Sequence, residues 1–227
     1  MLSTRHFRLS TSSGFTIVEL MVTVGIFVAM TALLVARYGS FNDGTLLTSM
    51  AYDVALTLRT AQSYGLNVQG VSTTTSLQGF NYPYGIHFSS ASTGTPLPNT
   101  QLTFFADTYN VSSSNGTPDG VYTYNPGNPT QSDVIVAPSP YVIARNGTVK
   151  SVCAGTGPGG FCASATSVDI TFKRPDPNAI IVPTPANNAC GNANQCAYAE
   201  IVVQNSGQTS TRTIVVRGTG LIAVQGQ

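Results

Sequence analysis

The 227-residue chain is 42% hydrophobic and 8% charged, with ten Lys and Arg against nine Asp and Glu. That is too apolar for a disordered chain and too nearly neutral for a whole-chain field that steers toward nucleic acid or an anionic surface. Ser, Thr, Asn and Gly stand where charge is missing, and the length suits one anchoring helix plus a single globular domain.

Residues 1–14, MLSTRHFRLSTSSG, form a short polar stretch holding Arg5 and Arg8. Without those two the chain has eight basic residues against nine acidic. Residues 20–36, LMVTVGIFVAMTALLVA, carry no charge, and with residues 15–18 the apolar run is long enough to span a bilayer as a helix. Glu19 is the one ionisable group inside it. Basic residues flanking an apolar segment stay in the cytoplasm, which puts the rest of the chain on the other side of the membrane. In a general secretory signal the small-residue cleavage site follows the apolar run, whereas here Gly14 precedes it.

The segment GFTIVEL, residues 14–20, resembles the processing motif of type IV prepilins and type II secretion pseudopilins. It combines a basic leader, Gly14, an apolar Phe15 and a carboxylate five residues past Gly14, at the head of a membrane span. The resemblance implies cleavage after Gly14 by a membrane prepilin peptidase and N-methylation of Phe15. It also implies that Glu19 pairs with the Phe15 amine of an adjacent pilin or pseudopilin subunit during assembly on an inner-membrane platform. The plainer reading of the same residues is an uncleaved signal anchor. Glu19 then snorkels to the interface or complements the positive end of the helix dipole, the latter worth under about 1 kcal/mol.

Past Tyr38 the sequence GSFNDG brings in Gly39, Asn42, Asp43 and Gly44, and a kink or melted turn is expected there because each glycine costs a helix roughly 1 kcal/mol relative to alanine. Helical periodicity resumes with Leu47, Met50, Ala51, Val54, Leu58, Ala61 and Gly65 on one face. Gly65 is expected to close the helix as a left-handed cap.

From residue 66 on, the period changes from helix to strand. The runs YGIHFS, QLTFFA, GVYTYN, DVIVA, YVIA, SVDITFK, AIIV, AEIVVQ, RTIVVR and LIAVQ read as strands. In SVDITFK, Val168, Ile170 and Phe172 alternate with Asp169, Thr171 and Lys173, which predicts one buried and one wet face. The fold class is therefore α+β, an N-terminal helix packed on an antiparallel sheet. Its divisions are a leader (1–14), a transmembrane part of the helix (15–38), an amphipathic part (39–65) and a β-rich domain (66–227). The helix AYDVALTLRTAQSYGLNVQG, the stretch from TFFADTYN to PDGVYTYN, and the closing strands with GTGLIAV are similar in outline to the H-type minor pseudopilins and fimbrial T-type minor pilins, the GspH/FimT family. That likeness implies a pilin-like fold and a minor subunit, with a major pilin as the alternative.

Cys153, Cys162, Cys190 and Cys196 lie in Gly- and Asn-rich loops without zinc-knuckle spacing or histidine partners. They read as disulfides, which persist outside the cytoplasm. Three connectivities are open, and the short-range pairs Cys153 with Cys162 and Cys190 with Cys196 are expected. No P-loop, dinucleotide fingerprint, nucleophile elbow or metalloprotease helix is present, so neither an enzyme nor a cofactor is expected. His87 reads as a solvated strand residue. Asp107, Asn110, Asn115, Asp119 and Asp133 could offer oxygen ligands to calcium, but they do not match an EF-hand and read as turn formers. Arg212 and Arg217 are the candidates for DNA binding; in a continuous strand their parity is opposite, which disfavours a nucleic-acid patch.

Overall fold

The computed structural model describes residues 14–67, 69–71, 79–92, 98–110, 118–137, 139–186, 190 and 195–226, the side chains of 37–43, 145 and 160 excepted. The leader before Gly14 and Asn115 lie outside the described residues. The fold is α+β and divides into two compact units, Met1–Asn42 and Asp43–Gln227. One helix, α1 (Ile17–Leu66), contributes to both. It is assigned as helix throughout 39–44, so the melted turn expected there does not form. Glycine's deficit is a weak local preference. On its far side the turn holding Leu47, Met50 and Ala51 is packed into the core, which holds the helix in register.

Eleven strands follow among the described residues: β1 (Tyr84–Ser89), β2 (Gln101–Ala106), β3 (Val134–Ile135), β4 (Tyr141–Val142), β5 (Thr148–Gly155), β6 (Cys162–Ala165), β7 (Ser167–Lys173), β8 (Asp176–Thr184), β9 (Tyr198–Gln204), β10 (Thr211–Arg217) and β11 (Ile222–Gln225). They build two sheets. The first is ordered β3-β2-β1-β7-β8, with β4 also paired to β2, and the second β11-β10-β9-β5-β6. Every pairing is antiparallel.

The runs YGIHFS, QLTFFA and SVDITFK form β1, β2 and β7 with the expected bounds. GVYTYN forms no strand, and its segment instead crosses the outer face of the first sheet. Strands β5 and β6 went unforeseen. A register shift between Val149 and Ser151 breaks the alternation of β5, and the residues of β6, CASA, are too small to signal burial.

The core lies between the second half of α1 and both sheets. Leu47, Met50, Ala51, Val54, Leu58 and Ala61 supply the helix face, as the periodicity predicted. They pack with Ile86, Phe88, Leu102, Phe104, Val168, Ile170 and Phe172 of the first sheet and with Val152, Ile201, Val203, Ile214 and Val216 of the second. Tyr64, Tyr84 and Phe104 form an aromatic triangle with ring centroids 5.2–6.2 Å apart, a separation at which edge-to-face pairs gain about 0.5–1.5 kcal/mol each beyond area burial.

Gly65 is not the expected left-handed cap. It is a buried residue of the last helical turn, without positive φ, and its carbonyl accepts a hydrogen bond from Arg174 N at 3.0 Å. A side chain there would strike the backbone of Phe172, so the missing Cβ sets how closely helix and strand approach. On helix propensity alone Gly65→Ala would stabilise by about 1 kcal/mol. Overpacking against backbone reverses the sign, and denaturant unfolding of Gly65→Ala is expected to show a loss of about 1–3 kcal/mol; an unchanged or raised midpoint contradicts the close approach.

Candidate functional sites: the apolar helix and the buried polar layer

In the first unit, residues Ile17–Ala36 form a 20-residue stretch of mean hydropathy 2.3, none of which is buried within the protein. Phe15, Phe27 and Val35 are 72%, 69% and 74% exposed. By length and composition this helix can cross a membrane. Its hydroxyls satisfy themselves, since Thr23 donates to the Leu20 carbonyl at 2.9 Å and Thr31 to the Phe27 carbonyl at 2.8 Å. At the helix start the Glu19 N–H donates to Thr16 Oγ1 at 3.2 Å. Thr16 and Glu19 thus have the T-x-x-E spacing of a capping box. That local signal was legible in the sequence and was overshadowed by the cleavage motif. The Glu19 carboxylate itself has no ion-pair or hydrogen-bond partner among the described residues. It is exposed, on a helix otherwise clad in apolar side chains.

In the second unit the disulfides join Cys153 to Cys162 and Cys190 to Cys196, the short-range connectivity expected. The first staples the β5–β6 hairpin. The second closes a loop whose Cys196 N–H donates to the Ile181 carbonyl of β8 at 2.9 Å, extending that sheet beyond β8.

The outer face of the first sheet departs from expectation. Asp169 and Thr171 are 1% and 0% exposed, so β7 has no wet face except at Lys173. His87 is buried as well, and is not the solvated residue expected. The register sets Asp169, His87 and Thr103 side by side across β7, β1 and β2, and His87 Nδ1 meets Asp169 Oδ1 at 2.7 Å. What covers them is the strap 118–133. Tyr122 lies 5.0 Å from the Phe105 ring and 5.1 Å from the imidazole of His87, centroid to centroid. Alternation in one strand cannot show such a cover, because the covering residues come from elsewhere in the chain.

Carboxylates fasten the strap to the sheet. Asp133 Oδ1 accepts from the Thr108 and Tyr109 N–H groups at 2.7 and 2.9 Å, and Oδ2 from Thr123 N at 2.7 Å. Asp107 accepts from Gly120 N at 2.6 Å and Asp119 N at 3.3 Å. Gly120 has φ +84°, a left-handed turn that glycine adopts without strain. Asp119 Oδ1 accepts from Val121 N at 3.0 Å. These aspartates therefore organise turns, and their oxygens face backbone donors. Among the described residues one group brings three ligand atoms of His, Cys, Asp or Glu together within 4.8 Å, and it is Cys153, Cys162 and Glu200, not these.

Burial is the largest influence on both carboxyls. It pushes Asp107 up to about 8, with Asp133 adding repulsion and the backbone donors opposing. It pushes Asp133 up to about 7 against three opposing backbone donors. Burial also raises Asp169, opposed by His87. Arg212 and Arg217 lie opposite Val203 and Tyr198 in an unbroken register, which puts them on opposite faces of β10.

Against family models, curated proteins and solved structures the chain finds no match.

The raised carboxyls set a pH dependence. Folded-state values above the ordinary Asp value of about 3.9 mean that the folded chain binds more protons than the unfolded one across the interval between them. The stability these groups contribute is fully present below the ordinary value and is lost as pH rises through about 7 to about 8. The thermal midpoint of the domain is expected to fall as pH rises through that window, and Asp107→Asn to flatten the fall. A midpoint that climbs across the same window contradicts the assignment.

Proposed function

We propose that the chain is a structural subunit of a type IV pilus or a type II secretion pseudopilus, assembled through its N-terminal helix. The observation that carries this reading is the pairing of an exposed apolar helix with one unpartnered carboxylate, Glu19, five residues beyond Gly14. In this reading a prepilin peptidase cuts after Gly14, the new Phe15 amine is methylated, and the helix rests in the inner membrane until the assembly platform draws it into a filament. The globular unit then lies outside the cytoplasm, in keeping with two disulfides.

Glu19 supplies the register. Glu19 is the third residue of the helix and lies four residues beyond Phe15, so pairing with a neighbour's amine staggers adjacent helices. A head-to-tail contact of that kind repeats as an open helical polymer. A charge among apolar helices costs roughly 2.5–3.5 kcal/mol near the bilayer centre, which the pairing offsets. The observed cap uses the Thr16 hydroxyl, which accepts from the Glu19 N–H, and leaves the Glu19 carboxylate available.

Within this class the minor-subunit reading, close in outline to the GspH/FimT family, stands ahead of a major pilin. DNA uptake is the weaker alternative, because Arg212 and Arg217 on opposite faces of one strand do not make a common patch. A catalytic role is not part of the proposal. The His87–Asp169 pair, which could act as acid and base elsewhere, is sealed beneath Tyr122 and anchors the strap.

The test separates processing from assembly. Glu19→Ala is expected to insert and be cleaved after Gly14 as the parent is, while its share in sheared filaments, relative to membrane, falls several-fold. Gly14→Leu is expected to leave the chain uncleaved. Normal incorporation of Glu19→Ala reduces the carboxylate to an interfacial charge and removes the main support for the assembly role.

A further inference from the structure

On the outer face of the second sheet, Cys153 and Glu200 are directly opposite across β5 and β9, and Cys162 lies diagonally across the β5–β6 hairpin from Cys153. All three are half-buried, and one ligand atom from each lies within 4.8 Å of the others. The Tyr198 hydroxyl donates to Glu200 Oε1 at 2.6 Å, leaving Oε2 facing Cys153 Sγ at 3.8 Å. Such an outer hydrogen bond is how proteins orient a ligating carboxylate.

We infer that Cys153, Cys162 and Glu200 form a divalent-metal site that the disulfide keeps closed and reduction opens. Two thiolates and one carboxylate, with water in the fourth position, make a tetrahedral set for zinc and its analogues. With metal–sulfur bonds of about 2.3 Å, tetrahedral geometry sets the sulfurs about 3.8 Å apart. Glu200 Oε2 already stands at 3.8 Å from Cys153 Sγ, and the two sulfurs, bonded to each other in the disulfide, reach that separation by side-chain rotation once the S–S bond is gone.

The chemistry balances in two steps. A dithiol reductant transfers two electrons and two protons to the disulfide, becoming a disulfide itself and leaving two thiols. Metal binding then displaces both thiol protons, so two protons leave for each ion bound. The second disulfide is the internal comparison, because Cys190 and Cys196 are not part of any such group among the described residues.

The probes are Co²⁺ and Zn²⁺ added to the full chain in detergent after treatment with a phosphine, which takes up oxygen from water as it reduces the disulfides and is then removed. The reduced chain is expected to bind one Co²⁺ with a thiolate-to-cobalt charge-transfer band that Zn²⁺ abolishes, and the oxidised chain to bind none. Cys162→Ser is expected to lose the band and Cys196→Ser to keep it. Glu200→Gln, which keeps an oxygen for the Tyr198 hydroxyl, is expected to weaken binding about tenfold or more. The inference fails if a reduced chain with intact far-ultraviolet dichroism shows no band. It fails equally if Cys196→Ser removes the band, or if Glu200→Gln binds as tightly as the parent.

Discussion

A helix whose apolar side chains find no partner among the described residues is the constraint from which the rest follows. Transfer of a Leu, Val, Ile or Phe side chain out of water is worth roughly 1.5–3 kcal/mol, and Ile17–Ala36 leaves nearly every one of its own exposed. Summed over the span, that exceeds the roughly 5–15 kcal/mol by which a domain is folded. Water is thus the wrong solvent for this segment. The helix is long and apolar enough to cross a membrane, and the hydroxyls of Thr23 and Thr31 are already turned onto carbonyls of their own helix. One group is left over, the Glu19 carboxylate, which has no ion-pair or hydrogen-bond partner among the described residues.

The globular unit meets the opposite difficulty, a shortage of charge with which to organise long connections. Its solution is to bury carboxylates and aim backbone donors at them. Asp133 gathers three N–H groups from two separate stretches of chain, and Asp107 gathers two more from the strap. Both carboxylates are satisfied by these donors, as the low dielectric of such a site requires. His87 supplies the partner for Asp169, so the outer face of the first sheet is a layer of polar side chains covered by aromatic rings, not a solvated surface.

How much of this the sequence disclosed depended on whether the signal was local. The apolar span, the amphipathic face from Leu47 to Ala61 and the strands β1, β2 and β7 all follow from periodicity within one segment. The disulfide pairs were legible because each brackets one short loop. Gly65 was misread because its role depends on Phe172, more than a hundred residues away in the chain, and not on the helix end it occupies. His87 and Asp169 were misread for the same reason: alternation says which side of a strand a residue faces, and only the tertiary fold says what lies on that side. GVYTYN has strand composition yet bonds to the Asp133 carboxylate in place of a ladder, a choice made by a residue outside the run.

The most direct measurement is the mass of the N-terminal peptide from chain recovered in its native membrane. The account requires a peptide that begins at Phe15, because only a freed amine gives the Glu19 carboxylate of a neighbouring helix its partner, and the resemblance to prepilins adds one methyl group on that amine. A peptide that still begins at Met1 would contradict it and leave the helix a simple anchor.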